Sequence, residues 1–157
     1  MRIIICGQAA SGKDYLKKKF HDKGAKVSIC YTTRPPRENE RNGRDYHFIS
    51  AEDFMLMVSR HEFAEWNSFK GWMYGTSLKD FMQSDIMIMT PKGLAQLDNE
   101  KRNSCFVIYL ETPMKLRKER LLKRMDKDDS VDRRLKADQK DFKNFKDYDL
   151  RIKKFEC

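Results

Sequence analysis

Short apolar runs alternate along this chain with stretches whose apolar residues recur at helical spacing, a pattern typical of α/β proteins. The clearest runs are apolar almost throughout, as expected of parallel strands that are covered on both faces. The predicted strands are 3–6, 25–29, 85–90, 104–110 and 149–155. The predicted helices are 15–20, 51–59, 91–97, 114–125 and 137–148, the last with a packing stripe of Phe142, Phe145 and Tyr148. We therefore predict a parallel sheet flanked by helices.

The first strand leads directly into a glycine-rich loop with the spacing G-x-x-x-x-G-K, which a helix follows. Two glycines allow the backbone to curl until successive N–H groups point at one centre, and Lys13 adds a positive charge for the β- and γ-phosphates of a nucleotide. The spacing alone is a weak signal, but its position between a buried strand and a helix strengthens it. The predicted triphosphate-binding residues are Gly7, Gln8, Ala9, Ala10, Ser11, Gly12, Lys13 and Asp14.

Asp14 departs from this motif, because the residue after the lysine is usually a serine or threonine whose hydroxyl binds Mg²⁺. Either the Asp14 carboxylate replaces that hydroxyl as metal ligand, or the site handles metal poorly and catalysis is weak. A carboxylate is a natural Mg²⁺ ligand, and about one or two protein groups suffice beside the phosphates. Without a metal, an extra anion would repel a triphosphate. We favour Asp14 as a ligand of Mg²⁺ bound with the nucleotide.

The net charge of +9, from 33 Lys and Arg against 24 Asp and Glu, suits a polyanionic ligand but does not distinguish a nucleotide from a nucleic acid. The basic residues are spread among acids along predicted helices, without the aromatic residues or modules of a dedicated nucleic-acid binder. We interpret them as a solvated surface, with Arg117, Lys118 and Lys123 as examples, and expect no nucleic-acid partner. The length of 157 residues indicates one domain.

The cysteines Cys6, Cys30, Cys105 and Cys157 are scattered and form no C-x-x-C pair, so they indicate neither a zinc site nor a disulfide framework. Reduced thiols are typical of the cytosol. The chain begins in a predicted core strand without a secretion signal, and no window is long and apolar enough to span a membrane. We expect a cytoplasmic protein that does not bind membranes, whereas the oligomeric state is not predicted.

A second group of motifs follows the predicted second strand. In Thr32-Thr33-Arg34-Pro35-Pro36-Arg37, the prolines stiffen the backbone, so that Arg34 and Arg37 lose little entropy on binding, and guanidinium groups match phosphate oxygens. The region also contains a carboxylate, two tyrosines and hydroxyls, which are the side chains needed to recognise a base and a phosphate. They lie in Asn42-Gly43-Arg44-Asp45-Tyr46-His47-Phe48, in Glu65-Trp66 and in Tyr74-Gly75-Thr76.

Together with the loop at 7–13, these motifs occur in the order and with the spacing found in guanylate kinases, and nearly the whole chain resembles a shortened and divergent member of that family. The resemblance implies one domain, 1–157, with the fold of a nucleoside monophosphate kinase. That fold is an α/β P-loop NTPase-type parallel sheet flanked by helices, with an inserted small GMP-binding α+β subdomain and a helical lid. The implied limits are 1–29, 75–120 and 135–157 for the core, 30–74 for the subdomain and 121–134 for the lid.

The resemblance also implies roles for individual residues. The positions that hold the GMP phosphate are matched by Arg34, Arg37, Tyr46 and Tyr74. Thr76 matches a hydroxyl of the guanine site, and Glu65 matches the carboxylate that accepts hydrogen bonds from guanine N1–H and the 2-amino group. The chemistry agrees with this role, because adenine lacks that pair of adjacent donors.

Several positions depart from the family pattern. Cys30 stands where the family has a serine near the guanine, and Ile88 and Thr90 replace two aspartates at the end of a strand. Lys92 replaces a glutamine, and Lys154 replaces an asparagine near the adenine. We assign Cys30 and Thr90 to the GMP site, but the base preferences for both nucleotides stay open.

The implied reaction is direct in-line transfer of the γ-phosphoryl group of ATP, bound with Mg²⁺, to GMP or dGMP. The implied catalytic residues are Lys13, Arg34, Arg124 and Arg134, and Arg133 is an alternative to Arg134 because the lid segment is slightly short. Two other functions stay open: a nucleoside monophosphate kinase with a different acceptor base, and a catalytically weak GMP-binding module. Asp14 and Thr90 favour the module, whereas the intact Lys13 and the lid arginines argue against it.

Overall fold

The computed structural model of the protein describes residues 1–124 and 129–153. The strands are β1 (Arg2–Gly7), β2 (Tyr31–Thr32), β3 (His47–Phe48), β4 (Phe63–Phe69), β5 (Trp72–Ser77), β6 (Ile86–Ile88), β7 (Cys105–Glu111) and β8 (Leu150–Lys153). The helices are α1 (Lys13–Asp22), α2 (Ala51–Ser59), α3 (Leu78–Gln83), α4 (Pro91–Leu94), α5 (Asn99–Asn103), α6 (Met114–Arg124) and α7 (Val131–Phe142). Within these described ranges, no helix has the length and apolar character needed to cross a membrane.

A parallel four-stranded sheet in the order β6-β1-β7-β8 forms the centre of the fold. In the register of β1, Ile4 lies opposite Met87 on one side and Val107 on the other. Successive side chains point to opposite faces, so Ile4 packs in one apolar cluster and Ile5 in a second. Because both faces are covered, the central strands are apolar almost throughout. The predicted parallel sheet with flanking helices is confirmed.

The predicted strand at 25–29 is wrong. The segment meets the edge of β6 through an isolated bridge between Val27 and Ile86. Within this segment, the Lys26 carbonyl accepts two backbone hydrogen bonds, from the N–H groups of Asp85 and Ile86. The Lys26 N–H donates to the Asp85 carboxylate at 2.8 Å, so a side chain takes the amide that a longer ladder would need.

Helix boundaries follow local caps. Ser50 caps α2 as predicted, since its hydroxyl accepts from the Asp53 N–H at 3.0 Å. α4 ends at Leu94, before the predicted end at 97, and Thr90 caps its start. α7 is displaced from the predicted helix at 137–148, because the Ser130 cap starts it at Val131. The predicted packing stripe is nevertheless present. The rings of Phe142, Phe145 and Tyr148 all pack around Tyr109, with centroid distances of 5.3 to 5.5 Å.

A second sheet has the order β3-β2-β5-β4. β4 and β5 form an antiparallel hairpin, and both residues of its turn, Lys70 and Gly71, have positive φ angles of 52° and 78°. Such turns match the twist of paired strands, which explains the glycine. β5 continues past residue 74 to Ser77, so the sheet extends beyond the end predicted for the subdomain. The predicted limits of core, subdomain and lid stay a prediction.

Candidate active site

The glycine-rich loop lies at the carboxyl end of β1, where the parallel sheet meets α1. A Cβ on Gly7 would lie 2.4 Å from Ser11 Oγ, so the close approach within the loop requires glycine there. Ala10 and Gly12 have φ angles of 58° and 101°, which turn the backbone sharply before α1 begins at Lys13. The predicted strand, loop and helix are therefore all present.

The ammonium group of Lys13 is held against the loop. Its Nζ donates to the carbonyls of Gly7 at 2.7 Å and Gln8 at 2.8 Å. Burial lowers the pKa of Lys13, whereas the carboxylates of Asp14 and Asp138 oppose that shift. The hydrogen bonds thus fix the Lys13 amino group beside the first two residues of the loop.

A pocket opens beside the loop and combines backbone amides with basic side chains. It is lined by Ala10, Ser11, Gly12, Lys13, Asp14, Tyr15, Arg120 and Arg124. The predicted Arg124 therefore lies with the loop. Arg120 is a further lining residue that is absent from the predicted site, and its Nη1 donates to Ala10 O at 3.1 Å. It precedes Arg124 by one turn of α6, a spacing that indicates a shared face. The pocket suits a polyphosphate.

Asp14 is exposed in the first turn of α1 and supplies the carboxylate of this pocket. In nucleotide sites Mg²⁺ is usually held by about one or two carboxylates together with phosphate oxygens and water. Across 1–124 and 129–153, no three His, Cys, Asp or Glu side chains cluster as a metal cage. The Asp14 carboxylate beside the loop fits a cation that would be shared with the phosphates of a nucleotide.

The prediction that Arg117 lies on a solvated face is wrong, because the residue is 2% exposed. Lys118 and Lys123 are exposed, as predicted. Arg117 and Leu121 form the buried side of α6, one turn apart. Arg117 therefore points into the fold and donates from Nη1 to the Asp138 carboxylate at 3.1 Å.

The hairpin register brings the predicted base-recognition residues together on one face of the second sheet. Glu65 lies opposite Thr76 and accepts from its hydroxyl at 2.7 Å. The side chain is almost fully buried; burial raises the pKa of Glu65, and the hydrogen bonds from Thr76 oppose that shift. Cys30 Sγ lies 3.7 Å from the same hydroxyl, and burial raises the pKa of this thiol to about 11. Cys30 therefore acts at neutral pH as an uncharged neighbour of Thr76.

Asn67 connects this group to the parallel-sheet core. Its Nδ2 donates to Thr90 Oγ1 at 3.2 Å and lies 3.4 Å from Glu65 Oε2. The predicted Thr90 is thus brought beside Glu65. α4 approaches so closely that a Cβ on Gly93 would lie 2.4 Å from Glu65 Oε2. Asn67 is absent from the predicted site, although its place two residues after Glu65 on a strand indicates the same face.

Glu40 organises the cationic turn that contains Arg34 and Arg37. Its carboxylate accepts from Arg34 Nη1 and Nη2 at 2.8 and 2.9 Å and from the Arg37 N–H at 3.0 Å. Burial opposes the charge of Arg34, but the hydrogen bonds to Glu40 outweigh it and raise the pKa of Arg34. The guanidinium lies 5.4 Å from the ring centroid of Tyr46, which lies 6.2 Å from that of Tyr74. The four residues predicted to hold a phosphate therefore belong to one region, and Glu40 joins them.

Arg133 and Arg134 share the carboxylate of Asp129. Arg134 Nε donates to it at 2.9 Å, and Arg133 forms a two-point pair with it. The hydrogen bond from Arg133, joined by that from Arg134, holds the pKa of Asp129 well below its ordinary value. Neither Arg133 nor Arg134 is among the described residues that line the pocket. Which of the two is the catalytic arginine stays a prediction. Residues 125–128 of the predicted lid and Lys154 lie outside the described residues.

A glycine-rich loop at the end of the first strand of a parallel sheet, beside a pocket of basic side chains, defines a P-loop nucleotide-binding protein. The family model described as Guanylate kinase matches residues 1–155. The guanylate kinases of Dechloromonas aromatica (strain RCB) and Geobacter metallireducens (strain ATCC 53774 / DSM 7210 / GS-15) are each 32% identical to this chain over 158 residues. Each alignment covers 95% of this chain and 78% of the relative.

A crystal structure of guanylate kinase from Anaplasma phagocytophilum has the same fold, with a TM-score of 0.76 at 20% identity over 99% of this chain and 77% of that chain. The chain belongs to the guanylate kinase family. It is thus a nucleoside monophosphate kinase, a transferase that binds nucleotides. The family, fold class and guanylate kinase function predicted from the motifs are confirmed, and the two alternative functions are not favoured.

Proposed function

We propose that this protein transfers the γ-phosphoryl group of ATP directly to the phosphate of GMP or dGMP, yielding ADP and GDP or dGDP. The observation that carries the proposal is the carboxylate of Glu65, a residue that is 7% exposed, held by the Thr76 hydroxyl. A buried carboxylate binds the two adjacent N–H donors of guanine, whereas adenine would leave it without donors. The acceptor base is therefore selected by the cost of leaving a buried charge unpaired.

Phosphoryl transfer depends mainly on positioning and on positive charge around the moving group. In this proposal Lys13 and the loop amides bind the donor phosphates, and Arg34 and Arg37 orient the acceptor phosphate. Arg124 lines the loop pocket, and with Arg134 it stabilises charge on the transferring oxygens. No general base is needed, because a phosphate monoester is already a competent nucleophile near neutral pH.

Mg²⁺ belongs to the proposal as the cofactor bound with ATP, and Asp14 is the side chain that would hold it. The ion would neutralise phosphate charge and orient the triphosphate. The role of Asp14 is to supply an oxygen ligand at the start of α1, in place of the usual hydroxyl. A cytoplasmic location, expected from reduced cysteines and nucleotide substrates, is also part of the proposal.

The test is Mg²⁺-dependent ADP formation from ATP, with GMP, dGMP, AMP, dTMP and dCMP assayed in parallel for the parent and for Asp14→Ala, which leaves no oxygen ligand at this position. We expect turnover with GMP and dGMP only, and a higher Mg²⁺ requirement in the variant. Turnover with another base would contradict the role of Glu65. GMP binding without turnover would contradict the catalytic proposal, and an unchanged Mg²⁺ requirement would remove Asp14 from the metal site.

A further inference from the structure

A buried ion pair between α6 and α7 lies directly behind the phosphate-binding loop. Arg117 Nη1 and Asp138 Oδ2 are 3.1 Å apart, and the two side chains are 3% and 16% exposed. Arg117 Nε also donates to Thr112 O at 3.0 Å, which fixes the guanidinium from a second direction. Buried ion pairs are often no more stabilising than an apolar pair of the same size, so the presence of this pair is weak evidence for a role in stability.

The pair is connected to the loop backbone through Asp138. The same Oδ2 accepts from the Ala9 N–H at 2.9 Å. Ala9 precedes Ala10, whose φ of 58° lies in the left-handed region that alanine rarely adopts. The Asp138 carboxylate therefore holds the loop at the point where its backbone is strained.

Two further side chains hold the next two residues of the loop. Arg120 Nη1 donates to Ala10 O at 3.1 Å, and Thr112 Oγ1 donates to Ser11 O at 2.9 Å. Three consecutive loop residues are thus each bound by one side chain from the part of the chain that follows β7. Because the carbonyls of Ala10 and Ser11 accept hydrogen bonds from these protein side chains, the loop backbone is held without a contact from a ligand.

The charge of Asp138 would by itself oppose the function of the loop. Burial raises the pKa of Asp138, while the Ala9 N–H, Arg117 and Lys13 act in the opposite direction. A carboxylate behind a phosphate-binding loop would repel a triphosphate, and in a partly buried site the repulsion is weakly screened. Arg117 is positioned to cancel that charge without removing the hydrogen bond to Ala9.

We propose that Arg117 and Asp138 are positioning residues for the donor nucleotide: Asp138 holds the Ala9 end of the loop in its phosphate-binding conformation, and Arg117 neutralises Asp138 so that it does not repel the triphosphate. Neither residue needs to touch the nucleotide. The role concerns the donor side and is therefore independent of the acceptor base.

The decisive comparison is Arg117→Leu alone against Arg117→Leu combined with Asp138→Asn. Arg117→Leu leaves an unpaired carboxylate behind the loop, and we expect the KM for ATP to rise about tenfold while the KM for GMP stays within about twofold. Adding Asp138→Asn removes the charge but keeps an oxygen that accepts from Ala9, so the double variant recovers most of the loss. ATP binding at equilibrium, measured without an acceptor, must follow the same order and keeps this test separate from the proposed reaction.

The matched control is Arg102→Leu, which breaks the ion pair with Asp147 at 2.7 Å, away from the loop. It should lower the melting temperature without a selective change in the KM for ATP. Equal changes in the KM values for ATP and GMP in Arg117→Leu, or no recovery in the double variant, would overturn the proposal. If Arg117→Leu does not fold, the test is a comparison of ATP binding by Asp138→Ala and Asp138→Asn. The proposal requires weaker ATP binding in the alanine variant, and equal binding refutes it.

Discussion

Replacing Glu65 with glutamine tests the acceptor site most directly, because it changes one buried atom and almost no volume. Glutamine keeps an oxygen for the Thr76 hydroxyl, which lies 2.7 Å from Glu65 Oε1. Its amide nitrogen then takes the position of Oε2, 3.4 Å from Asn67 Nδ2. Two donors face each other there, and one guanine donor loses its acceptor.

The magnitude follows from the two hydrogen bonds to the base. Loss of one bond to a buried charged group costs about 1.5–3 kcal/mol. The remaining bond becomes neutral and loses roughly half its strength, about 1 kcal/mol. The sum of about 2.5–4 kcal/mol corresponds to a decrease of about 10²- to 10³-fold in kcat/KM for GMP. The KM for ATP should be unchanged.

The fold should tolerate this substitution. Because the pKa of Glu65 is raised in the folded state, the protonated carboxyl favours folding at low pH. That contribution is lost as the pH rises through the folded pKa, and at neutral pH the ionised carboxylate opposes folding. Glu65→Gln should therefore melt at or above the parent temperature at neutral pH. In the parent, GMP binding should weaken as the pH falls through this raised pKa, whereas the glutamine variant should lack that dependence.

The assay is ADP formation at varied GMP and fixed saturating ATP, with thermal melts of the same preparations. Glu62→Gln is the matched control, since it makes the same change on an exposed side chain of the same segment. A kcat/KM for GMP within about threefold of the parent, or an equal loss in Glu62→Gln, would refute the reasoning.

Three further predictions concern residues around this site. Gly93→Ala places a Cβ 2.4 Å from Glu65 Oε2 and should raise the KM for GMP about tenfold but not that for ATP, as steady-state kinetics would show. Glu40→Gln weakens the two-point hold on Arg34 and should raise the KM for GMP about tenfold; an unchanged value would contradict a positioning role. Asp129→Asn should lower the melting temperature at neutral pH, and the difference from the parent should shrink below about pH 4. The reason is that a carboxyl whose pKa is depressed by folding stabilises the fold above its unfolded pKa, and this stabilisation is lost on acidification.

Much of the architecture and of the site is determined by local sequence. Apolar runs specify the central strands, because a strand covered on both faces needs apolar side chains in both directions. The glycines at 7 and 12 and the lysine at 13 specify the loop through backbone freedom and charge, and Ser50 specifies the start of α2 through one hydrogen bond. These signals act over a few residues, so they can be recognised without knowledge of the fold.

Only the tertiary structure decides which charged side chains are buried and what they meet. Arg117 occupies a helix dense in basic residues, and its burial depends on Asp138 in a different helix and on Ala9 in the loop. Likewise, the 25–29 segment has strand-like residues but ends as an isolated bridge, because Asp85 takes one of its amides. Asn67 acquires its role from Thr90, which lies on another element. Periodicity describes which face a side chain occupies, whereas the energy of a buried charge depends on partners far away in the chain, and those partners are set by the packing of the whole domain.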